Sequence, residues 1–188
     1  MANKDSAFGL KPIGKIGQNA DNNGLSEYDI AASATAIYFQ DPVEILATGT
    51  IGVAAAGDTT VLGSLNGVFF TDATSSKPTF ANHLNASNTA SDIKGFVTDD
   101  PYQRYEIQAD GATAAADVGL NADIVYAAGS SPDYVSKVEL DTSDQKTGTA
   151  QLRIMGISKD PSNNTAGSAN VNLVVMINEH FLKGTAGI

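Results

Sequence analysis

From about residue 28 onward the apolar residues come in short segments, interrupted roughly every 8–14 residues by Gly, Asp, Asn, Ser or Pro. That spacing is too short for packed helices and suits strands joined by turns. No window of about 12 residues carries an apolar stripe at helical spacing. The one Ala-rich candidate, 112–118, spans only about two turns, too few to hold a helix alone. Candidate strands are 36–39, 43–47, 51–55, 67–71, 93–98, 104–109, 122–127, 136–140, 149–157 and 170–178. In 104–110, Tyr105, Ile107 and Ala109 share one face, with Arg104, Glu106, Gln108 and Asp110 on the other. In 171–177, Val171, Leu173, Val175 and Ile177 form one face; the opposite face (Asn172, Val174, Met176, Asn178) is mixed, so this strand is either central or faces an interface. The pattern predicts a mainly β chain, a β-barrel or β-sandwich with little helix.

Residues 1–26 read differently. Pro12, Gly9, Gly14 and Gly17 exclude a stable helix, and Asp21-Asn22-Asn23-Gly24 is turn chemistry. Phe8, Leu10, Ile13 and Ile16 are spaced along this stretch, and Lys4, Lys11 and Lys15 against Asp5 leave its first fifteen residues net positive. The expectation is an extended arm, 1–26, that orders only against something else, ahead of a single β-rich body, 27–188. Two long polar linkers interrupt the body, 71–92 and 159–169. The first holds Phe80, His83 and Leu84, which give it something to bury, and is expected to be an interaction loop.

Composition removes whole classes of chemistry. With no cysteine there are no disulfides, thiolate metal sites or cysteine nucleophiles. Aromatics are 7% of residues and tryptophan is absent, so the core must be built from β-branched residues and Ala, and sugar stacking is disfavoured. A net charge of −10 argues against general nucleic-acid binding. No apolar run is long enough for a membrane span or a secretory signal, so a soluble protein made in the cytoplasm is expected. His83 and His180 are the only histidines and show no metal spacing; each reads as a structural histidine. The pairs Gly63-Ser64, Gly129-Ser130 and Gly167-Ser168 lack the second glycine of a nucleophile elbow. The glycines at 14 and 17 and at 49 and 52 lack a phosphate-loop pattern. Asp99-Asp100-Pro101 and the stretch 141–146 read as turns. No catalytic residue, cofactor or metal is expected, and the chain reads as a non-enzyme.

Ala7-Phe8-Gly9-Leu10-Lys11-Pro12-Ile13-Gly14 resembles the opening of tailed-bacteriophage head decoration, or capsid cement, proteins. The likeness continues in order through Val53-Ala54-Ala55-Ala56-Gly57-Asp58, Gly67-Val68-Phe69, Lys77-Pro78-Thr79-Phe80, Asp99-Asp100-Pro101 and Tyr105-Glu106-Ile107-Gln108-Ala109-Asp110. It runs on through Ala116-Asp117-Val118-Gly119-Leu120-Asn121-Ala122-Asp123, Glu139-Leu140-Asp141, Ala150-Gln151-Leu152-Arg153-Ile154 and Val175-Met176-Ile177-Asn178-Glu179-His180. The resemblance implies a virion protein on the outer capsid surface that clamps neighbouring major capsid protein subunits against the pressure of packaged DNA. It implies homotrimers, or else homodimers, with no chemistry and no contact with nucleic acid or membrane.

On this reading Phe8, Leu10, Pro12, Ile13 and Ile16 of the arm are the expected capsid contacts, with Phe80, His83 and Leu84 as a second interface. Main-chain groups of the arm could also add a strand to an exposed sheet edge. Deleting residues 1–17 is then expected to leave a folded body that no longer binds shells. An alternative is a β-sandwich ligand-binding or host-attachment module of a phage tail or fibre, using the stretch 71–92. A third reading is a hydrolase whose Ser, His and Asp meet only in space; it predicts loss of activity in His83→Ala and His180→Ala.

Overall fold

The alternating segments do become strands. In this computed structural model, which describes residues 2–17 and 24–184, 38% of residues are in strands and 3% in helix. Residues 21–23 of the expected turn lie outside the described residues. In chain order the strands are β1 Lys11–Lys15, β2 Ser26–Asp29, β3 Pro42–Ile45, β4 Ile51–Val53, β5 Val61–Thr71, β6 Pro78–Ala81, β7 Lys94–Thr98, β8 Gln103–Gln108, β9 Asn121–Ala122, β10 Ile124–Val125, β11 Glu139–Leu140, β12 Leu152–Ile157 and β13 Asn172–Ile177. One antiparallel sheet runs β1-β8-β13-β12-β9, a second runs β2-β7-β5-β3-β4 with β6 added on β5, and β10 pairs with β11. Neither sheet closes into a barrel; the arrangement is sandwich-like.

Strand periodicity explains the two cores. Inward residues of the first sheet (Tyr105, Ile107, Leu152, Ile154, Leu173, Val175, Ile177) pack with Val138 and with Ile124 and Leu140 of the β10–β11 pair. The second cluster holds Val43, Ile45, Ile51, Leu65, Val68 and Val97 of the second sheet, closed by Ile30, Ile37, Leu84 and Ile93 from connecting segments. Neighbours on β5 feed both clusters, Val61 the first and Leu62 the second, because successive side chains point to opposite faces. Gly63 lets β5 lie close to its neighbour β7: a Cβ there would overlap the carbonyl of Thr98.

Three expectations need correction, and a fourth, on the Ala-rich stretch, holds. The linker 71–92 contains β6, which pairs Pro78–Ala81 with Val68–Thr71, so it is not an unstructured loop. The segment 36–39 makes only isolated bridges at Ile37 and Phe39. The Ala-rich stretch gives a single 3₁₀ turn, Ala115–Asp117, as its shortness dictates. The largest difference is the arm. Residues 11–15 are the edge strand of the first sheet, pairing Lys11 with Glu106 and Lys15 with Gln103. An edge strand tolerates Pro12, whose missing N–H need not meet a neighbour. The main-chain groups expected to extend a partner's sheet extend the protein's own.

Candidate functional site

Ahead of β1 the arm is held by carboxamide side chains rather than by a ladder. The Asn3 amide donates to the carbonyls of Thr165 (3.1 Å) and Ala169 (2.9 Å). Asn163 closes both main-chain groups of Lys4: its Oδ1 accepts the Lys4 N–H at 2.8 Å and its Nδ2 donates to the Lys4 carbonyl at 2.8 Å. Gln108 accepts the Ser6 N–H at 2.7 Å and donates to the Lys4 carbonyl at 3.0 Å. Gln108, Asn163 and Asn172 are all buried, and Gln108 and Asn163 both donate to Oδ1 of Asn172. Next to them Glu106 accepts from Ser158 at 2.5 Å and pairs with Lys11 at 3.4 Å. Unpaired, these groups would each cost about 1–3 kcal/mol, so the network and the arm depend on each other. Sequence reading missed it. The signal was the polar face of 104–110 and the mixed face of 171–177, which belongs to a central strand lying under the arm.

The candidate contact residues separate. Leu10 is fully buried in the first core; its N–H bonds the Gln40 carbonyl and its carbonyl accepts from Ser64. It therefore cannot be an outward anchor, because the protein itself already buries it. Gly9 precedes it at φ +76°, where a Cβ would overlap the Gln40 carbonyl, so only glycine turns Leu10 inward. Phe8 is half-buried, with Lys11 Nζ 5.9 Å from its ring, and Pro12 is half-buried on the edge. Ile13 and Ile16 stay exposed, at 43% each; Ile13 falls in the register break between Pro12 and Gly14. Leu84 is likewise fully buried, exchanging main-chain hydrogen bonds with Ile37, which removes it as an interface residue. His83 stacks on Tyr134 with ring centroids 3.8 Å apart, and burial draws its pKa below the ordinary value. Phe80 is 73% exposed and lies against Phe69 and Phe96 on the outer face of the second sheet.

The outer face of the first sheet brings the remaining features together. Ile16, Gly17, Arg104, Met155, Gly156, Ile157 and Val174 line a shallow open depression, and Met155 is 40% exposed. Register pairs Arg104 with Met176 and Met176 with Arg153, so the only two arginines of the chain share one row on this face. Arg153 Nε donates to Asn121 at 3.1 Å, whereas Arg104 Nε is buried and has no partner among the described residues. This apolar and cationic face lies on a protein of net charge −10.

His180, the second histidine, is buried at the end of the first sheet. Its Nδ1 accepts the Leu182 N–H and caps the 3₁₀ turn Phe181–Lys183, and burial draws its pKa down to about 4. It does structural work, as its isolated position in the sequence suggested. Among the described residues no three His, Asp or Glu side chains group as metal ligands. Comparison with protein-family models, with curated proteins and with solved structures returned no match.

Proposed function

We propose that the protein is a non-enzymatic capsid cement protein that binds the outer surface of a phage head through the outer face of its five-stranded sheet and clamps neighbouring major capsid protein subunits. The observation that carries the reading is the arm's placement: already ordered on the body, it presents Ile16 beside Met155 on a face that also carries both arginines. The ordered family-like segments agree with it. A docked strand loses little conformational freedom on binding, so more of the burial free energy appears as affinity. Each apolar side chain contributes up to about 1.5–3 kcal/mol when fully buried, and these half-exposed ones less. Repeated on every subunit seam, modest contacts add up to a firm clamp. The acidic remainder faces solvent and keeps copies soluble.

The test is co-sedimentation of the full chain with mature, undecorated heads. Saturable binding at a stoichiometry matching a symmetry site, weakened in Ile16→Asp and Met155→Asp, is the expected result. A folded protein that binds no shell overturns the proposal.

A further inference from the structure

We infer that Arg104 is the specificity-determining residue of this face and that it receives a carboxylate from an apolar segment of the partner. The inference rests on the capsid reading and names the chemistry of the surface the protein would recognise.

Arg104 stands on β8, in the second position of the sheet, so its backbone is fixed by strands on both sides, β1 and β13. Its guanidinium lies along the arm: a Cβ on Gly14 would sit 3.6 Å from Nη2. Around it are Ile16, Met155, Ile157 and Val174, whose side chains offer no acceptor stronger than a thioether sulfur. The guanidinium carries five N–H donors and no acceptor, yet no hydrogen bond or ion pair holds it among the described residues. The two lysines of β1 on the same sheet are neutralised, Lys11 by Glu106 and Lys15 by Asp100. A charge held against an apolar surface with its Nε already stripped of water lacks the compensation that buried polar groups normally have. A docking segment that covers Ile16 and Met155 would complete that desolvation, and a carboxylate is the planar two-oxygen group that fits the guanidinium fork. Charge complementarity extends along the row through Arg153. A polyanion fits less well, since the body is strongly acidic and would repel an extended run of phosphates.

Three variants of the full chain, Arg104→Gln, Arg104→Lys and Met155→Ser, are titrated onto undecorated heads across a range of salt. Unchanged circular dichroism and melting temperature verify folding. Arg104→Gln is expected to weaken binding roughly 30-fold or more and to flatten its salt dependence. Arg104→Lys should recover only part of that loss, because an ammonium cannot form the two parallel bonds. Met155→Ser should weaken binding without changing the salt slope. If wild type binds and Arg104→Gln binds equally well, the carboxylate assignment is overturned and the capsid reading stands. If inorganic phosphate displaces the protein far more than chloride at equal ionic strength, the site takes phosphate and the assignment is again overturned. If wild type binds no head, both fall together.

Discussion

Two buried ionisable side chains contribute to the pH response in opposite directions. His180 is buried and held near pKa 4, mainly by desolvation and secondly by Lys183. Its neutral form is the native one, so its contribution is complete above the unfolded value of about 6.5 and is lost as pH falls from there to 4, of the order of 3 kcal/mol in all. Asp41 is fully buried, and desolvation raises its carboxyl to about 6, although Tyr38 N–H and Ser136 hydrogen-bond to it. Here the native state holds the proton more tightly, so stability rises as pH falls through 6 toward 4, by a similar amount. In wild type these two contributions should therefore nearly cancel between pH 6 and 4. His180→Asn, which keeps an acceptor for the Leu182 N–H, should gain stability on acidification over that window. Asp41→Asn should lose it. Urea titrations at pH 6 and pH 4 check both, and parallel shifts of all three proteins would refute the assignment. At the same scale, Phe80→Ser should cost less than about 1 kcal/mol, because the ring is mostly in water; a chemical melt measures it.

Among the elements the arm matters most. Because Leu10 fills a fully buried site, Leu10→Ala should destabilise the fold by about 2–5 kcal/mol. Asn163→Ala should cost about 1–3 kcal/mol, since it leaves the Lys4 N–H unpaired and takes one of the two carboxamide donors from the Lys4 carbonyl and from Asn172 Oδ1. Removing residues 1–17 takes away β1 as well, exposing the edge of β8 and the buried carboxamides. The truncated chain should melt well below wild type, so truncation does not separate binding from folding as an unattached arm would have allowed. Thermal melts of the three proteins check this, and a truncation that melts like wild type would show that the docked arm is dispensable. The outward substitutions Ile16→Asp and Met155→Asp are the cleaner probes of shell binding.

At the level of the whole molecule, the two cores should unfold together. Val61 at the start of β5 enters the first cluster and its neighbour Leu62 the second, and the Tyr105 hydroxyl in the first sheet donates to the Thr98 carbonyl in the second at 2.8 Å. Ile107→Ala in the first core and Leu65→Ala in the second should each lower one shared transition, with tyrosine fluorescence and circular dichroism remaining coincident. Two separated transitions in either variant would show that the sheets are independent units.

The amino-acid sequence by itself determined the class of fold and most strand positions, because alternation in stretches such as 104–110 and 171–177 is a local property that survives any arrangement of neighbours. It also marked His180 as structural and Ile13, Ile16 and Phe80 as apolar groups in polar surroundings. What it could not determine was which groups meet across long stretches of chain. Leu10 and Ile16 have the same chemistry and lie six residues apart, yet one is in the core and the other on the surface. The difference comes from the turn at Gly9, the register of β1 on β8, and the carbonyl of Gln40, thirty residues away. The strand β6 was hidden in a polar linker because its pairing with β5, not its composition, makes it a strand. The clip on Lys4 depends on Asn163 and Gln108, which only the folded sheet brings together. Side-chain periodicity is written locally, whereas burial and hydrogen-bond satisfaction depend on contacts that only the tertiary structure creates.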